Sequence, residues 1–178
     1  MERESFIKHY SDLYISYKHD SPERSRINMI RRIRELLKTI DNPNATIRFL
    51  DIGSGRQSLI KQLFTSVSPD LKQIQNKLSI FTLDIADIRS YQLLAQKRSN
   101  VTHVRADALA LPFADDTFDI VASNLAIDFT PRPNACFNEP YENVYRVLTP
   151  GGHAVFSFHH PSLQENILGK YRSGRYPQ

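Results

Sequence analysis

Asp51, Gly53, Ser54 and Gly55 stand together in the run Arg48-Phe49-Leu50-Asp51-Ile52-Gly53-Ser54-Gly55-Arg56-Gln57. An apolar stretch leads into the carboxylate. A glycine turn follows, then apolar positions at Leu59, Ile60, Leu63 and Phe64. Strand, glycine turn and helix in succession lay the polar part of a small ligand against backbone at a helix N-terminus. The acid selects among such ligands. A carboxylate just ahead of the loop repels a pyrophosphate and suits positive charge, such as an amino acid ammonium or a sulfonium. Other polar residues follow apolar stretches in the same way: Asp84, Asp107, Asn124 and Asp128, and the pair His159 and His160.

The elements that would position these residues alternate. Apolar runs predict strands at 47–52, 79–84, 101–105, 118–123 and 153–158, with helices at 57–66, 87–98 and 138–148 and a short one at 69–77. Such alternation predicts a Rossmann-like, doubly wound parallel α/β sheet with helices on both faces. Ligands in such sheets bind at the carboxyl ends of the strands. Asp84 ends the second strand, Asp107 follows the third, Asn124 and Asp128 follow the fourth, and His159 and His160 follow the fifth. An acid after each of the first three strands argues for one shared site rather than three unrelated turns. Ahead of this core, Ser21-Pro22-Glu23 reads as a helix start, with a hydroxyl cap and a proline in the first turn. Ile27, Ile30, Ile33, Leu37 and Ile40 then repeat at helical spacing to about Thr39. Residues 1–178 read as one domain: a helical lead-in over 1–44, a core over 45–161 and a tail over 162–178.

The ordered segments resemble class I S-adenosylmethionine-dependent methyltransferases. Leu50-Asp51-Ile52-Gly53-Ser54-Gly55 is similar to their first motif and Phe81-Thr82-Leu83-Asp84-Ile85 to their second-strand motif. Arg105-Ala106-Asp107-Ala108-Leu109-Ala110-Leu111-Pro112-Phe113 is similar to their adenine-binding segment. Phe118–Ser123 resembles their fourth strand and Tyr145–Gly152 the entry to their fifth. The adenine segment and Ser157-Phe158-His159-His160-Pro161 resemble the small-molecule branch, of the "methyltransferase type 11" kind. The resemblance implies S-adenosyl-L-methionine as cofactor, no metal, and strand order 3-2-1-4-5. It implies that Gly53, Ser54 and Gly55 receive the methionine part and that Asp51 holds its ammonium. Asp84 would accept from the ribose hydroxyls and Asp107 from the adenine amine. Ala108 would offer its N–H to the ring, Ile85 or Leu109 would cover it, and Asn124 would line the methionine end.

Two departures stand out. Gln57 replaces the third loop glycine and brings a side chain to the helix start. The family sheet has seven strands, yet about twenty residues follow Phe158 where a helix, two strands and loops need roughly 35. The sixth and seventh strands are therefore expected to be missing, which makes 153–158 an apolar sheet edge. That edge is expected to be masked by the tail, by missing strands of a longer protein, or by a homodimer, which is favoured.

The remaining residues set the rival readings. His159 and His160 point to opposite faces of an extended strand and do not chelate one metal. They and Asp128 are the catalytic candidates, with roles in binding the acceptor or taking its proton. Asp119 reads as structural. Arg24, Arg26, Arg31, Arg32, Arg34 and Lys38 read as a solvated helix face, since no aromatics interleave with them as a nucleic-acid surface requires. Net charge is +4, which permits a nucleic acid partner without demanding one. Cys136 is the only cysteine, so no internal disulfide forms, no apolar run approaches a membrane span, and a cytoplasmic setting is the default. The reading is methyl transfer to a small-molecule acceptor. Its alternatives are a cofactor-binding module without catalysis, an inactive short methyltransferase, or an RNA methyltransferase. A nicotinamide-dependent dehydrogenase requires Gly-x-Gly-x-x-Gly, whereas the loop reads Gly-Ser-Gly-Arg-Gln-Ser.

Overall fold

The computed structural model describes residues 23–40, 46–65, 69–86, 98–127 and 139–158. In chain order they form α1 (Glu23–Thr39), β1 (Ile47–Ile52), α2 (Ser58–Leu63), α3 (Pro69–Lys77), β2 (Leu78–Asp84), β3 (Val101–Arg105), β4 (Phe118–Asn124), α4 (Glu139–Val147) and β5 (Leu148–Ser157). The strands make one parallel sheet in the order β3-β2-β1-β4-β5, as expected. Asp128, Cys136, His159, His160, residues 87–97 of the helix expected over 87–98 and the tail 162–178 lie outside the described residues, and Arg98 is not helical.

Alternation along the strands builds the two layers. Ile47 and Phe49 of β1 join Ile80 of β2, Val101 of β3 and Ile120 of β4 in a core with Met29, Ile33 and Leu37 of α1 and Ile60 of α2. On the opposite face, Leu50, Ile52, Leu83 and Val121 meet Val144 and Val147 of α4. Phe118 is fully buried there, with the rings of Phe81 and Phe113 edge-on at 5.5 and 4.9 Å. Burying each such side chain contributes about 1.5–3 kcal/mol before entropy is charged.

Several boundaries and faces differ from expectation. The apolar stripe of α1 runs through Met29, Ile30, Ile33, Leu36 and Leu37, and it leaves Ile27 half exposed. Arg26 and Arg34 are tied to neighbouring elements rather than free in solvent. Arg26 is buried and its Nε donates to Gln62 Oε1 at 3.4 Å. Arg34 Nη2 donates to the carbonyls of Gln62 and Thr65 at 3.3 and 2.9 Å. α2 ends at Leu63, short of the expected residue 66, in a tightened last turn where Thr65 N–H donates to the Gln62 carbonyl at 3.1 Å. β5 starts at Leu148, five residues early. Leu148 pairs with Phe118, a register shift follows, and pairing resumes with His153 against Ile120. Gly151, at φ +80°, lies in that irregular stretch. Among the described residues β5 pairs with β4 alone, and no helix is long and apolar enough to cross a membrane.

Candidate functional site

Asp51, Thr82, Asp84 and His103 share one face of the sheet with Ile47, Phe49, Ile80 and Val101, two residues apart on each strand. Register aligns Asp51 with Thr82 and Thr82 with His103, so a polar row crosses β1, β2 and β3 just below the strand ends. Asp84 stands one step above it on β2.

The glycine loop bends onto β2. The N–H groups of Gly53 and Ser54 both donate to the Leu83 carbonyl, at 2.8 and 3.0 Å. Gly55 N–H donates to Asp84 Oδ2 at 2.8 Å, and Ala86 N–H donates to Oδ1 at 2.9 Å. Asp84 thus braces the loop and retains acceptor capacity for a ligand hydroxyl. Gly53, at φ +68°, has a packing reason beyond ligand approach: a Cβ there would lie 2.1 Å from Ala126 Cβ.

Gln57 occupies the third-glycine position in the left-handed conformation, φ 59° and ψ 33°, which explains why glycine suits that place. Its side chain is fully buried, and Nε2 donates to Thr82 Oγ1 at 2.7 Å. Thr82 Oγ1 also lies 3.1 Å from His103 Nδ1. The extra side chain therefore becomes part of the floor, tying the start of α2 to β2.

Two carboxylates meet in this corner. Asp51 is 1 % exposed, and burial, then the charge of Asp84, push its carboxyl well above the usual carboxylate range. Burial also raises Asp84, but hydrogen bonds from Ala86, Gly55 and Ile85 and the charge of His103 act against it. Among the described residues Asp51 Oδ2 and Ser54 Oγ are buried without hydrogen-bond partners.

The next segment is hung from the same corner. Ala106 N–H donates to the Asp84 carbonyl at 3.0 Å. Asp107 Oδ1 accepts the Leu109 N–H at 2.9 Å, so this acid shapes its own turn. Ile85, Ala108 and Leu109 are half-buried. From α4, Asn143 Nδ2 holds the Leu109 carbonyl at 3.1 Å. Arg146 Nη1 holds the Phe113 carbonyl and Asp115 Oδ1, both at 2.8 Å, and Nη2 holds the Leu111 carbonyl at 3.0 Å. Asn124, at the end of β4, accepts on Oδ1 from Ser25 Oγ and Ser157 Oγ, both at 2.8 Å, which joins α1, β4 and β5.

The structure thus gathers Asp51, Gly53, Ser54, Gly55 and Asp84 in one corner and links the Asp107 turn to it. Asn124 lies on the β4 side. Asp119 is structural, its Oδ2 accepting the Arg48 N–H at 2.8 Å. Sequence reasoning missed the Thr82 and His103 row, the serines at Asn124, and the clamp from Asn143 and Arg146. Thr82 carried a signal, since it stands two residues before Asp84 on the same strand face. A separate cleft of about 720 Å³ between α1 and the end of α2, lined by Ile30, Arg31, Arg34 and Gln62 among others, contains none of the expected site residues. No group of three or more metal-ligating side chains occurs among the described residues.

Residues 50–156 match the family model described as methyltransferase domain. The chain is 36% identical over 108 residues to malonyl-[acyl-carrier protein] O-methyltransferase of Marinomonas sp., covering 61% of this chain and 36% of that protein. It is 34% identical over 124 residues to the ubiquinone/menaquinone biosynthesis C-methyltransferase of Pseudomonas aeruginosa, covering 69% of this chain and 45% of that protein. The chain therefore spans less than half the length of these two curated relatives. Among solved structures, phosphoethanolamine N-methyltransferase 2 of Haemonchus contortus, in complex with S-adenosylhomocysteine, shares the fold at TM-score 0.59 and 19% identity, over 95% of this chain and 38% of that one.

Proposed function

We propose, since the chain belongs to the methyltransferase domain family, that its strand-end site binds S-adenosylmethionine and that the protein passes the methyl group to a small-molecule acceptor. The buried Asp51 Oδ2 and Ser54 Oγ, neither with a partner among the described residues, carry this reading. A buried carboxylate without a partner is costly, and a ligand ammonium supplies the missing donors.

The residues present fit the cofactor. Asp51 and Ser54 suit the amino acid end, beside the loop backbone. Asp84 suits the ribose hydroxyls as an acceptor while the loop amides hold its orientation. Asp107, Ala108, Ile85 and Leu109 suit the adenine. When bound, S-adenosylmethionine supplies a methyl group already activated on sulfur. The chain's own task is to align the reactants and exclude water. We assign acceptor binding or proton removal to Asp128, His159 and His160, which follow β4 and β5 in the chain. The names of the relatives point to oxygen and carbon nucleophiles of acyl or quinone type.

Incubation with S-adenosylmethionine labelled in its methyl group tests the reaction. Label is expected to pass to an acyl or quinone-type acceptor. Retention of all label across such acceptors, in a protein that binds the cofactor, would favour a binding module instead. A second expected outcome concerns adenine. The inosine form of the cofactor is expected to bind about 5–10-fold less tightly, because Asp107 then faces a carbonyl rather than an amine. Equal affinity would leave Asp107 as a turn residue only, the role its bond to Leu109 already performs.

A further inference from the structure

We propose that Asp51 carries a proton in the ligand-free protein and releases it when the ligand ammonium arrives, so that cofactor capture exchanges one cation for another. This rests on the proposed cofactor reading and adds a pH control to the same site.

The two carboxylates of the corner are unequally provided for. Both Asp84 oxygens accept backbone N–H bonds, and His103 faces Asp84 from β3. Asp51 has none of this: Oδ2 is buried without a partner, and Ser54 Oγ, three residues on, is also unpaired. Among the described residues, Asp84 on β2 is the charged group whose field reaches Asp51, and it is repulsive. The neighbouring end of β4 contributes Ala122, Ser123 and Asn124, none of them titratable. Two like charges in a buried corner do not both persist, and the one without donors is the one neutralised. Burial and the Asp84 charge act in that direction on Asp51. In the exchange the carboxyl O–H bond breaks and its proton goes to the solvent. The carboxylate oxygen then accepts an ammonium N–H, and no ligand bond is made or broken.

The signs follow from linkage. Asp51 has a raised affinity for its proton in the free protein and a lower one beside an ammonium. Cofactor affinity is therefore level above the free-state pKa and falls below it, by up to about tenfold per pH unit. Folding shows the opposite trend. A folded-state pKa above the unfolded one makes the group oppose folding at high pH, so the ligand-free protein gains stability as pH falls through the folded value.

Calorimetric titration with S-adenosylhomocysteine tests this, in buffers of differing ionisation enthalpy between about pH 5 and pH 8. The expected result is buffer-dependent heat that reports proton release, approaching one proton per ligand at the acid end. Asp51→Asn is expected to abolish the release and flatten the pH dependence. An infrared spectrum provides a check without a variant: the free protein should show a carboxylic-acid C=O band that disappears on binding. Binding with no buffer-dependent heat at any pH overturns the exchange while leaving the cofactor reading intact. The same proton release from Asp51→Asn assigns it to another group, such as His103, and also overturns it. Failure of wild-type protein to bind at all overturns the cofactor reading and the exchange with it.

Discussion

A Gly53→Ala protein is expected to lose about 2–4 kcal/mol of folding stability. The added Cβ would lie 2.1 Å from Ala126 Cβ, and φ at this residue is +68°, a region that alanine enters only under strain. Neither partner can retreat easily. Gly53 and Ser54 are both fastened to the Leu83 carbonyl. The Ala126 side is held by Ile127 N–H donating to Ser123 Oγ, and by Leu125 N–H donating to Ser157 Oγ, each at 3.1 Å. At about 2–4 °C per kcal/mol for a chain of this size, the melting point should fall by about 5–15 °C. Removing the opposing methyl separates the two causes. In Gly53→Ala with Ala126→Gly the clash is gone and the backbone strain remains, so about 1–2 kcal/mol of loss should persist. Urea denaturation measures both variants. A single variant within about 0.5 kcal/mol of wild type would show that the loop beyond β4 does not pack against Gly53.

Asp84→Ala is expected to weaken S-adenosylhomocysteine binding about 10- to 150-fold, or about 1.5–3 kcal/mol, the range of hydrogen bonds to a charged group. Two losses combine. The ribose acceptor disappears, and the Gly55 and Ala86 N–H groups lose the oxygens that orient the loop. Folding should suffer less than binding. Backbone amides lose their acceptor, but a buried carboxylate whose desolvation opposes its charge is also removed. Asp84→Asn keeps one oxygen but turns an NH₂ toward a donor, so it should rescue the loop only in part. Unchanged affinity in a folded Asp84→Ala protein would remove Asp84 from the ligand site.

What the sequence made legible divides along physical lines. β1 and β3 are bounded as expected, because their apolar runs stop at a glycine turn and at a polar segment. The sheet order was legible because the motifs occur in the family's order and parallel crossovers leave few topologies. The start of β5 was not. Thr149-Pro150-Gly151-Gly152 reads locally as a turn, and only its long-range pairing with β4 makes it a strand with a bulge. The α1 stripe was misplaced at Ile27, because a helical repeat defines a face less sharply than the sheet it packs on. Arg26 and Arg34 looked solvated because guanidinium acceptors in α2 cannot be seen from α1. At the site, strand-end acids were legible as types at positions. Their differences were not, since the lack of a partner at Asp51 and the two amides on Asp84 depend on how the loop folds. Gln57 shows both sides. Its position was visible as a missing glycine, whereas its reach to Thr82 required the fold.

Calorimetric titration of the wild-type chain with S-adenosylhomocysteine at neutral pH, run beside NAD as a control, tests the strand-end site most directly. Saturable binding of one S-adenosylhomocysteine per chain is expected, and none of NAD, whose pyrophosphate would face Asp51 and Asp84. Absence of S-adenosylhomocysteine binding up to about millimolar ligand, an affinity of roughly −4 kcal/mol, would contradict it, as would NAD binding at the same site.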